Sequence, residues 1–216
     1  MTDIEIIGAP QSPFVRAVRM ACVEKGVAYR LTPAMPHSPE VNCIHPLGKI
    51  PAMRYGDYQL CESKAIATFV DRAFPGPKLF PDDAEVCGKV EQWVSITNTA
   101  IFPAVIPYFG AYFFPKTPDG KPDRATIERV LPEVRERIDV LDKAVANTEC
   151  LAGNGFTYAD ISLLPVLAYL RDLPESGGAI LADAKQLTRY FDRHSQRESF
   201  RTTVPPPFGE LRASAS

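Results

Sequence analysis

HPLGKIPAMRYGDYQLCESKAI, residues 45–66, joins a rigid turn, a hairpin and a helix start in one short span. Gly48 turns the chain before Ile50-Pro51, Gly56-Asp57 separates two short apolar runs, and Glu62-Ser63 precedes a helical pattern that runs to about Ala73. An X-Pro bond adopts the cis form at low cost. In a tight turn that form would direct the N–H and C=O of Ile50 outward, where a peptide-like ligand pairs with them in strand fashion. Ser63 stands where an N-cap is expected. The unpaired N–H groups and partial positive charge of a helix start hold a carboxylate, with the Ser63 hydroxyl as a further donor. Glu62 beside it offers a carboxylate to an ammonium, and an ammonium and a carboxylate on one carbon are an α-amino acid end. Taken singly, Ser63 is an ordinary cap, Glu62 a solvated charge and Pro51 a turn. Their joint order carries the reading.

Working outward, Ile4–Ile7 is a β-rich run ending at Gly8, followed by the loop Ala9-Pro10-Gln11-Ser12. Pro13 suits a first helical position, and Val15, Val18, Ala21, Cys22 and Val23 form an apolar stripe toward a stop at Gly26. Residues 27–31 read as a second strand, which completes a βαβ unit with a parallel pair. Ser38-Pro39-Glu40 opens a short helix or loop that leads back to the quoted span. The predicted order is β-α-β-α-β-β-α.

The segment 45–66 resembles the glutathione-binding half of the glutathione S-transferase superfamily, whose pattern is a Pro-Leu-Gly-Lys-Ile-Pro-like turn, a hairpin, then Glu-Ser-x-Ala-Ile. The resemblance implies an α/β thioredoxin-like domain over 1–74, a linker at 75–82 in the breaker-rich Pro75-Gly76-Pro77, and an all-helical bundle domain over 83–216 that carries the electrophile site. It also implies that Ile50 pairs with the cysteinyl backbone of glutathione, that Pro51 is cis, and that Glu62 and Ser63 hold the γ-glutamyl end. Lys49, and more loosely His37, are the candidates for the glycyl carboxylate. Ser12-Pro13-Phe14-Val15-Arg16 is similar to the catalytic loop of serine-type members, and the chain is identified as a bacterial-like, serine-type member. Ser12 is otherwise an ordinary N-cap; the resemblance assigns it to the thiolate. Cysteine-type members carry Cys at this position, so a mixed-disulfide mechanism is not expected, and Cys22 lies too far down the helix to substitute.

An unperturbed thiol with a pKa of ~8.5 is only a few per cent ionised near neutrality, and lowering that value by ~2 units takes ~2.7 kcal/mol of preferential stabilisation of the anion. A hydroxyl at a helix start is a suitable source. The second substrate is expected to be a small apolar electrophile. Phe14, Tyr108 and Tyr112 are its candidate contacts, the two tyrosines one helical turn apart, although core packing is the better account of most of the aromatics in that segment.

The chain has 216 residues, 45% hydrophobic and 23% charged, with a net charge of -2. Such a balance gives no electrostatic case for nucleic acid or an anionic membrane. Five scattered cysteines without CxxC or a Cys/His cluster read as reduced cytoplasmic thiols and offer no metal site. No signal-like amino terminus or membrane span is expected from composition. In the second half, residues 83–114 carry helical spacing interrupted by Pro103 and Pro107, and residues 124–147 form a charged amphipathic pattern. Thr157-Tyr158-Ala159-Asp160 is a capping box before a nearly all-apolar helix over 161–170, and it resembles the family's folding signature. Pro132 and Pro165 fall inside these patterns. A last helix is expected over 182–194 and an irregular tail from Arg201.

The expectation is therefore a glutathione transferase that uses glutathione as co-substrate and, from the resemblance alone, forms a homodimer. Peroxidase, lyase or isomerase chemistry on the same site is the enzymatic alternative. A glutathione-binding or interaction protein without turnover is the alternative from another class.

Overall fold

A computed structural model describes residues 3–208. The expected order appears as β1 (Ile4–Ile7), α1 (Pro13–Glu24), β2 (Tyr29–Thr32), α2 (Pro39–Asn42), β3 (Ala52–Tyr55), β4 (Tyr58–Cys61) and α3 (Ser63–Ala73). One sheet results, in the order β2-β1-β3-β4, with β1 and β2 parallel and the other two pairs antiparallel. Period-two alternation splits the first strand: Ile4 and Ile6 pack with Val15, Val18 and Cys22 of α1 and Ile66 and Val70 of α3, while Ile7 packs with Val41 and Ala52. The second strand begins two residues later than its apolar run. Gly26, at φ 65, ends α1, and the Val27 N–H returns to the Cys22 carbonyl at 2.9 Å.

The chain divides into two compact units, one comprising Met1–Cys87 together with the segment from Ser195, the other Gly88–His194. That division differs from the expected boundaries at 75–82 because the breaker-rich segment is packed into the first unit. Leu79 and Phe80 are buried, and their N–H groups donate to Asp71 at 2.8 and 3.3 Å. Asp71 also pairs with the equally buried Lys25 at 3.1 Å, which ties the end of α1 to α3 and the segment after it.

The tail expected to be irregular from Arg201 is held through residue 206. Around α10 (Glu198–Arg201), Arg197 donates to Glu24 at 2.8 and 2.7 Å. Arg16 donates to the Phe200 carbonyl at 2.9 Å, Arg19 to the Thr203 carbonyl at 3.2 Å and Gln11 to the Pro206 carbonyl at 3.1 Å. Part of the expected tail, from 209 onward, lies outside the described residues.

The second unit is helical. α4 (Ala84–Ile96) runs into it and meets α5 (Phe102–Phe113) through a π turn, Thr97–Ile101. Pro103 lacks an N–H, so the ladder slips to longer bonds just before it, and the Phe102 N–H reaches the Thr97 carbonyl. The whole run Ala84–Phe113 is long and apolar enough by length and composition alone to cross a membrane, a test that a core helix also passes, and 44% of its most apolar window is buried inside the protein. α6 (Arg124–Ala144) and α7 (Tyr158–Asp172) stay continuous through Pro132 and Pro165, and α7 is buried along nearly its whole length, as its composition predicts. The last expected helix is broken at Ala184 into α8 (Leu181–Asp183) and α9 (Lys185–His194), whose Gln186 and Leu187 N–H groups both donate to Asp142 at 2.8 Å.

Candidate active site

Strand register brings the expected site residues to one end of the sheet. Thr32, Ile7, Ala52 and Cys61 are aligned across all four strands. β1, β2 and β4 run toward that row and β3 runs away from it, so the next residues outward are Pro33, Gly8, Pro51 and Glu62. Neighbouring strands lie ~4.8 Å apart, which sets the β1–α1 loop, the Ile50-Pro51 turn and the start of α3 side by side.

Ser12 caps α1 and is half-buried. Its hydroxyl oxygen accepts the Val15 N–H at 3.4 Å, a long contact, and its own proton is directed by no bond to another side chain of that turn. The cap therefore retains a donor for an anion. Gly8, at φ 154, is the close-approach point of the loop. A Cβ there would stand 2.6 Å from the Val15 side chain and 3.1 Å from that of Ile50. The Ile50–Pro51 bond is cis, as the resemblance implies.

At α3 the structure moves the cap by one residue. Glu62, at φ 71 and ψ 118, is the N-cap and makes no side-chain capping bond, and Ser63 is the first helical residue. The correction has a local cause: Glu62 leaves β4 in a conformation no helix accommodates, so the helix can begin only after it. The first turn of α3 is left without a side-chain cap, with the Ser63 hydroxyl among its N–H groups. Glu62 is exposed, and one of its oxygens lies 3.2 Å from Nε2 of the buried His45.

Lys49 and His37 are both exposed and are brought together around Gly48. The His37 N–H donates to the Gly48 carbonyl at 2.8 Å, and its ring occupies the space that a Gly48 Cβ would need. Phe14 is half-buried beside Ser12 in sequence. Tyr108 and Tyr112 belong to the second unit. Tyr108 is fully buried and donates to Glu175 at 3.0 Å while accepting the Ser176 N–H at 3.2 Å. Tyr112 is half-buried and also donates to Glu175, which Arg124 approaches to 2.5 Å. Burial, reinforced by the Glu175 bond, pushes the Tyr112 phenol up to about 12. Both hydroxyls are thus engaged within their own unit, and Tyr108 has no exposed surface to offer a substrate.

Neither Cys22 nor Cys61 is poised as a rival nucleophile. Burial pushes Cys22 up to about 12, and Cys61 is raised by burial and then by the Glu62 charge. Sequence reasoning gave no role to His45 or to Gly8. His45 opens the quoted span and Gly8 ends the first strand, but their contacts depend on register and not on spacing.

The first unit is a thioredoxin-like domain whose sheet end gathers two helix starts and a cis-proline turn, and the second is a helical bundle. Residues 6–78 match the family model for the glutathione S-transferase N-terminal domain and residues 97–198 that for its C-terminal domain. Glutathione S-transferase F10 of Arabidopsis thaliana is 30% identical, over 86% of this chain and 89% of its own. The crystal structure of poplar glutathione transferase F1 aligns with a TM-score of 0.84 at 26% identity, over 99% of this chain and all of its own. A glutathione S-transferase of Methylobacillus flagellatus, solved with glutathione bound, aligns with a TM-score of 0.79 at 26% identity, over 94% of this chain and 100% of its own. The chain belongs to the glutathione S-transferase family. The expectation of a specifically bacterial-like member gains no support from the curated plant relative, and the structural likeness extends to plant and bacterial proteins alike.

Proposed function

We propose that this chain is a glutathione transferase that conjugates the glutathione thiolate to a small apolar electrophile. The γ-glutamyl carboxylate lies on the open N-terminus of α3 with the Ser63 hydroxyl, and the γ-glutamyl ammonium meets Glu62. The cysteinyl backbone pairs with Ile50 beside Pro51, and the glycyl carboxylate is met by Lys49 and His37. The sulfur then sits at Ser12, whose hydroxyl and the start of α1 stabilise the anion. Loss of the thiol proton to solvent leaves a thiolate lone pair, which forms the new carbon–sulfur bond as the electrophile releases its leaving group or accepts the electron pair. Phe14, beside Ser12 in sequence, offers apolar surface to that electrophile.

The observation that carries this reading is the strand register of Ile7, Ala52 and Cys61, whose chain neighbours Gly8, Pro51 and Glu62 bring the two helix starts and the cis turn to one end of the sheet. Its test is a glutathione titration followed by thiolate ultraviolet absorbance at neutral pH, in the native protein and in Ser12→Ala. Affinity is expected to stay within about twofold, while the thiolate signal and turnover with an apolar electrophile fall by about tenfold or more, the effect of losing one donor to an anion. Equal turnover in the two proteins removes Ser12 from the mechanism, and absence of glutathione binding sinks the reading.

The same reading includes a cytoplasmic homodimer. Leu47 and Tyr58 are exposed apolar side chains on the first unit, at 63% and 48% of their full surface, and a second copy would cover them. A molar mass in solution near 23.8 kDa, that of one chain, would rule the dimer out.

A further inference from the structure

We propose that His45 is a positioning residue for Glu62, acting as a neutral imidazole that fixes the ammonium-binding carboxylate without cancelling its charge. The inference rests on the glutathione reading above. His45 is 3% exposed, and its two ring nitrogens have different partners. Nδ1 accepts the Leu47 N–H at 3.1 Å, so Nδ1 uses its lone pair and carries no proton. The proton of the neutral ring is therefore on Nε2, which lies 3.2 Å from Glu62 Oε1, within reach for that proton to be donated once the two groups align. An imidazolium would set an Nδ1–H against the Leu47 N–H, a contact between two donors.

What this does for Glu62 follows from its surroundings. The side chain is 69% exposed and makes no capping bond, while its carbonyl is fixed by the Ile66 N–H at 2.9 Å. An exposed glutamate samples several rotamers, and ordering it on ligand binding costs affinity. In the proposal, the contact with His45 selects one rotamer in advance and occupies one oxygen. The other oxygen is left for the ligand. A lysine or arginine in the place of His45 would order the carboxylate equally well but would compete with the ammonium for its charge. The buried ring orders it and leaves the full negative charge in the site.

The test compares the affinity of the full-length protein for glutathione with that for its analogue lacking the α-amino group, glutaryl-cysteinylglycine, by titration calorimetry. The native protein is expected to prefer glutathione by about tenfold or more, the worth of a charge-assisted hydrogen bond, and Glu62→Gln to lose most of that preference. His45→Asn keeps an oxygen for the Leu47 N–H but has no donor that reaches Glu62. Its preference is expected to drop to about twofold to threefold, with affinity for the desamino compound nearly unchanged. His45→Gln, whose amide N–H stands near the position of Nε2, is expected to restore most of the preference. A role in folding the turn alone would weaken both ligands equally and would overturn the proposal, as would a full preference in His45→Asn. If the native protein and Glu62→Gln show the same lack of preference, the fault lies in the assignment of Glu62, and the role of His45 falls with it.

Discussion

Gly8 leaves no room for a side chain. With φ at 154 and a would-be Cβ 2.6 Å from Val15 and 3.1 Å from Ile50, an alanine there must displace either the first turn of α1 or the residue beside the cis-proline. Gly8→Ala is expected to cost about 1–3 kcal/mol of stability through backbone strain, read by urea unfolding, and to weaken glutathione severalfold because Ile50 is displaced. Unchanged values for both would show that Val15 and Ile50 yield freely. At the same scale, a phenol held near 12 stays protonated across the neutral range, so Tyr112 serves as a hydrogen-bond donor and not as a base for the thiol.

The helices differ in how they begin. α1 starts at a serine whose capping bond is stretched to 3.4 Å, and α3 starts with no side-chain cap. α7, by contrast, has a full capping box. Asp160 accepts the Thr157 N–H at 2.9 Å, the Leu151 N–H at 2.8 Å and the Tyr190 hydroxyl at 2.9 Å, all buried. Burial raises this carboxyl, and those donors oppose the rise. The starts proposed to meet glutathione keep donors open, and the start that anchors a core helix closes them. Asp160→Ala would strand these three donors and the Thr157 hydroxyl, which also donates to Asp160 at 3.2 Å, for a loss on the order of 3 kcal/mol and a fall of roughly 10 °C in melting midpoint. A midpoint unchanged by the substitution would show that the box is dispensable.

For the molecule as a whole, what was legible from sequence was local. Glycine stops at Gly8 and Gly26, the Gly56-Asp57 hairpin, the Pro51 turn and the Thr157 to Asp160 box each lie within a few residues of what they control, so residue type and spacing reveal them. The role proposed for Ser12 rests on reading it beside the second half of the site. Less legible were pairs made across the fold: Lys25 with Asp71, Tyr108 with Glu175, and Arg16 with the carbonyl of Phe200, 184 residues away. No periodicity encodes such partners, because a buried cation specifies a need for acceptors and not their place in the chain. The domain boundary differed for the same reason, since nothing local marks the segment from Ser195 as part of the first unit. That return has a consequence for how the protein is made. Domains generally fold as they leave the ribosome, amino-terminal first, but here α1 and the loop before it must wait for their acceptors at Phe200, Thr203 and Pro206 until the helical unit has been translated. The unit that carries the proposed glutathione site is thus begun before the helical unit and finished after it, so its completion waits on the synthesis of the helical unit between its two parts.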